Sequence, residues 1–237
     1  MSRKAAIFGS SGGIGAALVR ALAEGDVEVL AGSRSGTSPA LANFTPFAFD
    51  LTDEASIAAA VEPWKDDPPD LVIVATGVLT LPDGTGPERS SKALDGDALA
   101  EMVRINTIGP ALIAKHVLPL LPRDRHSVFA ALSARVGSIG DNRLGGWHSY
   151  RASKAALNML IRNFAIEMRR THKRAVVVGL HPGTVDTSLS EPFQSGLPEG
   201  QLTDADEAAA NLLAVIDSLG PEESGDIFDW KGERIEP

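Results

Sequence analysis

The chain has no cysteine, which excludes a disulfide framework and any thiolate metal site. It also lacks a basic surplus. With 22 Lys and Arg against 31 Asp and Glu, the formal net charge is -9, which argues against a nucleic-acid or anionic-membrane partner and leaves room only for a local basic pocket. Its apolar runs fall far short of the ~20 residues that cross a bilayer. The opening Met1-Ser2-Arg3-Lys4 leads into a short strand rather than a secretory core, so a soluble, cytoplasmic protein is expected. The 5 histidines are scattered and form no H-E-x-x-H pair, so no metal site is expected.

What is present is an alternation of short apolar runs with helix-type segments along all 237 residues. That pattern predicts a single α/β domain, a Rossmann-like doubly wound fold with a seven-stranded parallel sheet. The expected strands are 4–8, 28–33, 47–49, 71–75, 128–132, 176–180 and 227–230, most of them continuous apolar runs suited to burial on both faces. Helices are expected over 13–24, 53–61, 97–118, 149–170 and 204–218, with Thr52 and Thr203 as N-caps of the second and last. The segment 36–45 is too short for a full helix. Gly, Pro and Ser concentrate in 82–96 and 187–200, which read as loops over one edge of the sheet.

Gly9-Ser10-Ser11-Gly12-Gly13-Ile14-Gly15 follows the first strand and opens the first helix. Unpaired N–H groups and the helix dipole make such a place a phosphate cradle, and glycines let the backbone approach a pyrophosphate. The P-loop alternative needs Gly-Lys-Ser/Thr, which is absent. The same residues satisfy G-x-S-x-G, so a hydrolase nucleophile elbow at Ser11, served by His172 or His181, is a rival reading. An elbow usually follows several strands rather than the first.

Cofactor choice is read at the end of the second strand, where an acid would hold a ribose 2′-hydroxyl and an arginine a 2′-phosphate. Here the turn is Ser33-Arg34 with no acid, which favours NADP over NAD. Asp50 and Leu51, after the third strand, are placed at the adenine edge, although Asp50 can equally cap the following turn.

Tyr150-Arg151-Ala152-Ser153-Lys154 begins a helix, and i,i+4 spacing puts the phenol and the ammonium on one face. A neighbouring cation favours phenolate, so Tyr150 is the expected general acid/base. Ser133 follows the strand 128–132 at its carboxyl edge, placed to hydrogen-bond a reacting oxygen. Asn106 lies four residues before Pro110, whose missing N–H should leave the Asn106 carbonyl free for a water or polar group.

Together these segments resemble the short-chain dehydrogenase/reductase family over essentially the whole chain, and the downstream half resembles its C-factor-type branch. The glycine motif falls on Gly9, Gly13 and Gly15, and with Ser11 and Ile14 these are the residues of the turn expected to bind the cofactor. The Tyr-x-x-x-Lys pair falls on Tyr150 and Lys154, the serine on Ser133 and the helix asparagine on Asn106. The resemblance implies that Lys154 binds the nicotinamide ribose and that Asn106 holds a water linking the lysine to solvent. His181-Pro182-Gly183-Thr184-Val185-Asp186-Thr187 resembles the family's Pro-Gly segment, implying nicotinamide contacts from Pro182, Gly183, Val185 and Thr187. One departure is Val74-Ala75-Thr76-Gly77, where the family usually has Asn-Asn-Ala-Gly. Ala75 and Gly77 keep their expected backbone contact with the cofactor, while Thr76 is the candidate to replace the lost amides.

The expectation is therefore an oxidoreductase moving a hydride between nicotinamide and a small carbonyl or alcohol. The cofactor half would run to about residue 125, with the catalytic half beyond it. The resemblance also implies a homodimer or homotetramer paired through the helices 97–118 and 149–170. Trp147 and Leu189 suggest an apolar part to the substrate. Two rivals stand beside this reading. One is a nucleotide-binding regulatory or signalling protein without turnover. The other is an epimerase or dehydratase, disfavoured because such relatives carry a sizeable substrate domain that this chain is too short to hold.

Overall fold

The computed structural model describes residues 3–25, 27–37, 44–195, 198 and 200–237. Chain order runs β1 (Arg3–Phe8), α1 (Gly13–Ala23), β2 (Val27–Ser33), β3 (Phe44–Ala48), α2 (Glu54–Val61), β4 (Leu71–Val74) and α3 (Gly96–Val103). It continues with α4 (Gly109–Val117), β5 (Ser127–Leu132), α5 (His148–Met168), β6 (Ala175–His181), β7 (Thr184–Val185), β8 (Leu202–Thr203), α6 (Ala205–Ser218), β9 (Ile227–Asp229) and β10 (Arg234–Ile235). The main sheet has 8 strands in the order β10-β9-β6-β5-β4-β1-β2-β3. The seven expected parallel strands are all in it, and β10 adds an antiparallel edge by turning back on β9. Its Arg234-Ile235 pair is too short to read as a strand in sequence.

Alternation along the strands divides the core. Ala5, Ile7, Val29, Ala31, Val128 and Ala130 face one side, where Leu18 and Leu22 of α1 and Leu212 and Val215 of α6 cover them. Ala6, Phe8, Val72, Val74, Phe129 and Ala131 face the other, under Ile57 of α2, Ile113 of α4, and Leu157 and Ile161 of α5. Both faces of β4 and β5 are buried, which is why these strands carry almost no polar residue. The chain winds from β1 outward to β3, then returns to β4 and winds the other way. The reversal falls between β1 and β4, the place where open α/β sheets bind ligands beyond their carboxyl edges.

Three local expectations are corrected. The N-caps of α2 and α6 are Asp53 and Asp204, each carboxylate accepting a first-turn N–H, rather than Thr52 and Thr203 one residue earlier. A carboxylate gains from the helix dipole where a hydroxyl does not. Thr52 donates to Asp50 instead, and Thr203 is taken by β8. The expected helix 97–118 is broken by a π-helical stretch, Arg104–Ile108, in which the Gly109 N–H donates to the Arg104 carbonyl. Pro110, with no N–H of its own, sits just beyond this widened turn. Within 36–45, residues 38–43 lie outside the described residues and 44–45 already belong to β3. In the loop 187–200, Glu191–Phe193 forms a single tight turn, and residues 196, 197 and 199 lie outside the described residues.

Candidate functional site

The glycine turn is pinned from below. The N–H groups of Gly9 and Ser10 both donate to the Gly32 carbonyl on β2, at 2.9 Å each, and the buried Ser10 hydroxyl donates to the same oxygen. Gly9 has a φ of 94°, and a Cβ on Gly15 would lie 2.1 Å from the Gly9 carbonyl oxygen, so helix α1 closes onto its own approach loop. Only a residue without Cβ permits that closure. Gly13 abuts Thr187: a Cβ there would lie 2.4 Å from the threonine methyl. The Pro-Gly segment after β6 thus reaches the glycine turn, an approach across more than 170 residues of chain.

The cleft at this switch point has a volume of about 900 Å³. Of the residues singled out in sequence, Gly13, Ile14, Gly15, Ala75, Gly77, Ser133, Tyr150, Lys154, Pro182, Gly183, Val185 and Thr187 line it together. Gly9 supports the turn behind it. Ser33 is buried at the end of β2, with its hydroxyl against Ser35 and the Thr37 carbonyl, and Arg34 beside it is exposed. The Asp50 carboxylate accepts the Thr52 N–H and hydroxyl at 2.8 Å, the turn-capping alternative, and these bonds hold its pKa below the usual carboxylate value. Leu51 packs against Gly109 at the start of α4. Ser11 is exposed and outside the cleft lining, and among the described residues no histidine or acid bonds its hydroxyl, so the elbow geometry is not assembled.

Asn106 is fully buried, and its side chain clamps the Val78 backbone: Oδ1 accepts the Val78 N–H and Nδ2 donates to the Val78 carbonyl, both at 2.8 Å. Sequence reasoning looked at its main chain, but the amide side chain is what ties α3 and the π-turn to the loop after β4. Gly77, at φ 149°, leaves room for both the Asn106 Oδ1 and the Lys154 Nζ, which would lie 3.0 and 3.4 Å from a Cβ there. The expected replacement by Thr76 is not made: among the described residues its buried hydroxyl has no hydrogen-bond partner. Continuity of the sheet comes instead from the backbone, with the Ala75 N–H donating to the Phe8 carbonyl at 2.8 Å.

Tyr150 and Lys154 stand one turn apart on α5, with the ammonium 5.8 Å from the phenol ring centre and donating to the Leu132 carbonyl at 2.9 Å. Burial dominates both groups. It pushes the phenol up to about 12 and the ammonium down to about 8. The lowering of the phenol expected from its neighbouring ammonium is not what burial leaves: the net shift of Tyr150 is upward. Ser133 is buried, and its hydroxyl donates to Asn158 Oδ1 at 2.6 Å. Asn158 escaped notice in sequence, although the polar positions 150, 154 and 158 repeat every four residues and so share one helix face.

The surroundings of Tyr150 are built by residues far apart in sequence. Gly145, Gly146 and Trp147 all have left-handed backbones, with φ of 65°, 66° and 51°. Trp147, the one non-glycine residue described with positive φ, stores strain of order 1–3 kcal/mol. Its ring packs edge-on against Tyr150 (6.2 Å between centres) and Phe193 (5.3 Å). Glu88 holds the turn. Its backbone carbonyl accepts the Trp147 N–H at 2.5 Å, and its buried carboxylate takes the N–H and hydroxyl of Ser149, capping α5 from outside. Burial works to raise the Glu88 pKa, but the Ser149 bonds outweigh it and the net shift is downward. No local pattern marks Glu88, because its partners Trp147 and Ser149 lie about 60 residues away. His181, also on the cleft wall, is driven down to about 4 by burial and by the Arg135 charge, with Asp229 opposing.

A profile of the short chain dehydrogenase family matches residues 3–197. The 1-hydroxy-2-glutathionyl-2-methyl-3-butene dehydrogenase of Rhodococcus sp. (strain AD45) is 38% identical over 66% of this chain and 63% of its own length, so the matched region spans a little under two thirds of that relative. The C-signal protein of Myxococcus xanthus is 36% identical over 58% of this chain and 77% of that protein, in keeping with the C-factor-type resemblance. Among solved structures, NADPH-bound carbonyl reductase from chicken fatty liver superposes with a TM-score of 0.84 at 26% identity, covering 100% of this chain and 94% of that one.

Proposed function

Because the chain belongs to the short-chain dehydrogenase family, we propose that it is an NADP-dependent oxidoreductase interconverting a carbonyl compound and its alcohol, with Tyr150 as general acid and base. The observation that carries this reading is the convergence of Ser133, Tyr150 and Lys154 on one cleft with the glycine turn and the Pro-Gly segment. The cleft's phosphate end fits a dinucleotide: the first turn of α1 has no side-chain cap, and its glycines let the helix start close onto the turn before it and against Thr187. Gly12, Gly13 and Ile14 would hold the pyrophosphate, Ser33 and Arg34 the 2′-phosphate, Asp50 and Leu51 the adenine edge, and Ala75, Gly77, Val185 and Thr187 the rest. When bound, the nicotinamide supplies or accepts the hydride. NADPH in the chicken carbonyl reductase supports the cofactor choice, as does the absence of an acid at 33–34.

Tyr150, with its phenol near 12, holds its proton at neutral pH and is set to deliver it to a substrate oxygen in the reductive direction. Lys154, near 8, is still mostly charged there, and its ammonium favours the phenolate left behind. Ser133 orients the oxygen by redirecting its hydroxyl from Asn158. Tyr150→Phe tests the assignment: NADPH-dependent reduction of an aldehyde should fall roughly a hundred- to ten-thousand-fold while NADPH binding, read by energy transfer from tryptophan, persists. Unchanged turnover would sink the mechanism.

The likeness to the Myxococcus C-signal favours a second reading, a nucleotide-binding signalling protein without turnover. NADPH binding with no reduction across a carbonyl panel would select it. Exposed Ile108, Met159 and Ile166 on and beside α4 and α5 support pairing into a homodimer or homotetramer through that face.

A further inference from the structure

The reacting end of the cleft carries an imbalance of charge. Among its lining residues Asp141 is engaged by Arg135, at 3.3 Å, and Arg135 is engaged again by the buried Asp229 at 2.8 Å. Arg143 and Arg151 have no carboxylate partner among the described residues, in a chain where acids outnumber bases 31 to 22. Both are instead fastened by backbone oxygens. Arg151 donates from Nε to the Gly146 carbonyl and from Nη1 to the Val136 carbonyl, at 3.1 Å each. Arg143 donates from Nη1 to the carbonyls of Gly140 (2.7 Å) and Asn142 (3.3 Å). Neutral carbonyls orient a guanidinium without cancelling its charge, and two such bonds leave further N–H donors of the five free. Half-buried Arg151 is the more telling of the two, since a partly desolvated cation gains most from an opposite charge.

Beside these cations the wall is apolar. Trp147 packs edge-on against both Tyr150 and Phe193, and Leu144 and Leu189 line the same cleft with exposed side chains. An exposed leucine 91% open to solvent is ordinary on a surface, but two that share one cleft lining with an aromatic pair mark a place for an apolar body.

We infer that the reacting end of the cleft takes carbonyl compounds with a carboxylate attached to an aromatic or aliphatic body, the body against Trp147 and Phe193 and the carboxylate on Arg143 and Arg151. This rests on the reductase reading for the reacting carbonyl, but the subsite itself is a matter of binding and is tested apart from turnover. The NADPH-saturated protein is titrated calorimetrically with para-carboxybenzyl alcohol and with benzyl alcohol, a state in which no hydride transfer from the alcohol can occur. The carboxylated ligand should bind about tenfold more tightly, the size of one charge-assisted hydrogen bond, and high salt should erode that ratio. Arg143→Gln and Arg151→Gln should each bring the ratio toward one, and Arg151→Lys should restore part of it. Arg143 is exposed, so its variant keeps the test alive if the Arg151 variant fails to fold.

Equal affinity for the two alcohols, absence of binding by either, or a preference that survives both glutamine variants overturns the inference. NADPH oxidation with para-carboxybenzaldehyde and benzaldehyde is then measured separately. A carboxylate preference in binding with neither aldehyde reduced would leave the subsite standing and count against the reductase. Reduction of both without any preference would do the reverse.

Discussion

Replacing Gly15 by alanine should damage this protein through one identifiable contact. The new Cβ would lie 2.1 Å from the Gly9 carbonyl oxygen, 2.9 Å from its carbon and 3.3 Å from the Ser10 Cα, all backbone atoms. Gly9 has little room to retreat. Its N–H is tied to Gly32, its carbonyl accepts the Gly12 N–H at 3.1 Å, and a Cβ on Gly9 itself would already lie 2.9 Å from the Ala75 carbonyl oxygen. The better helix propensity of alanine returns about 1 kcal/mol, whereas forcing a methyl into filled space costs typically 1–3 kcal/mol and more where backbone must move. With every clash against backbone the cost lies at or above the top of that range, so a net loss of about 2 kcal/mol or more follows, read as a lower urea midpoint at unchanged slope. Because the displaced backbone is the proposed phosphate cradle, NADPH affinity should fall as well, by more than tenfold at about 1.4 kcal/mol per decade. Gly12→Ser is the control. At Gly12, with φ -79°, the nearest atom to a new Cβ is 3.5 Å away, and serine is a preferred N-cap. Its stability should stay within about 0.5 kcal/mol of the parent. If Gly15→Ala unfolds and binds NADPH like the parent, the close approach of α1 to its loop is not what makes the cradle.

Lys154→Met should abolish turnover yet raise stability at pH 7 by about 1–3 kcal/mol, since it removes a buried ammonium held near 8 instead of 10.5. Between those pH values the unfolded chain binds a proton that the folded chain does not, so the parent's stability should climb from pH 8 to 10.5 and the variant should lack that climb. Arg34→Ala should weaken NADPH far more than NADH, and equal losses in parallel fluorescence titrations would remove the 2′-phosphate assignment. Asn106→Ala leaves the half-buried N–H and carbonyl of Val78 without their side-chain partners, a cost of about 1–3 kcal/mol in urea unfolding; a loss under about 0.5 kcal/mol would show that the clamp is replaceable.

Much of the framework was readable because it is written in local periodicity. The seven parallel strands, the glycine turn that opens α1 and the Tyr150–Lys154 pair all depend on residues within a few positions of one another, where a period of two or of four settles which face a side chain takes. Errors arose where two local signals competed. Thr52 and Asp53 both suit an N-cap, and the carboxylate prevails; Pro110 announces a disturbed helix but not that the disturbance is a π-turn.

Other features of the site belong to tertiary structure alone. Glu88 capping α5 and Asn106 clamping Val78 are contacts across 61 and 28 residues, as are Thr187 against Gly13 and Phe193 against Trp147. A hydrogen-bonding side chain has no periodicity that names a distant partner. The direction of the Tyr150 and Lys154 shifts was likewise decided by the fold. Sequence places an ammonium one turn from a phenol, but only packing determines how much water reaches them, and burial moves the phenol up and the ammonium down.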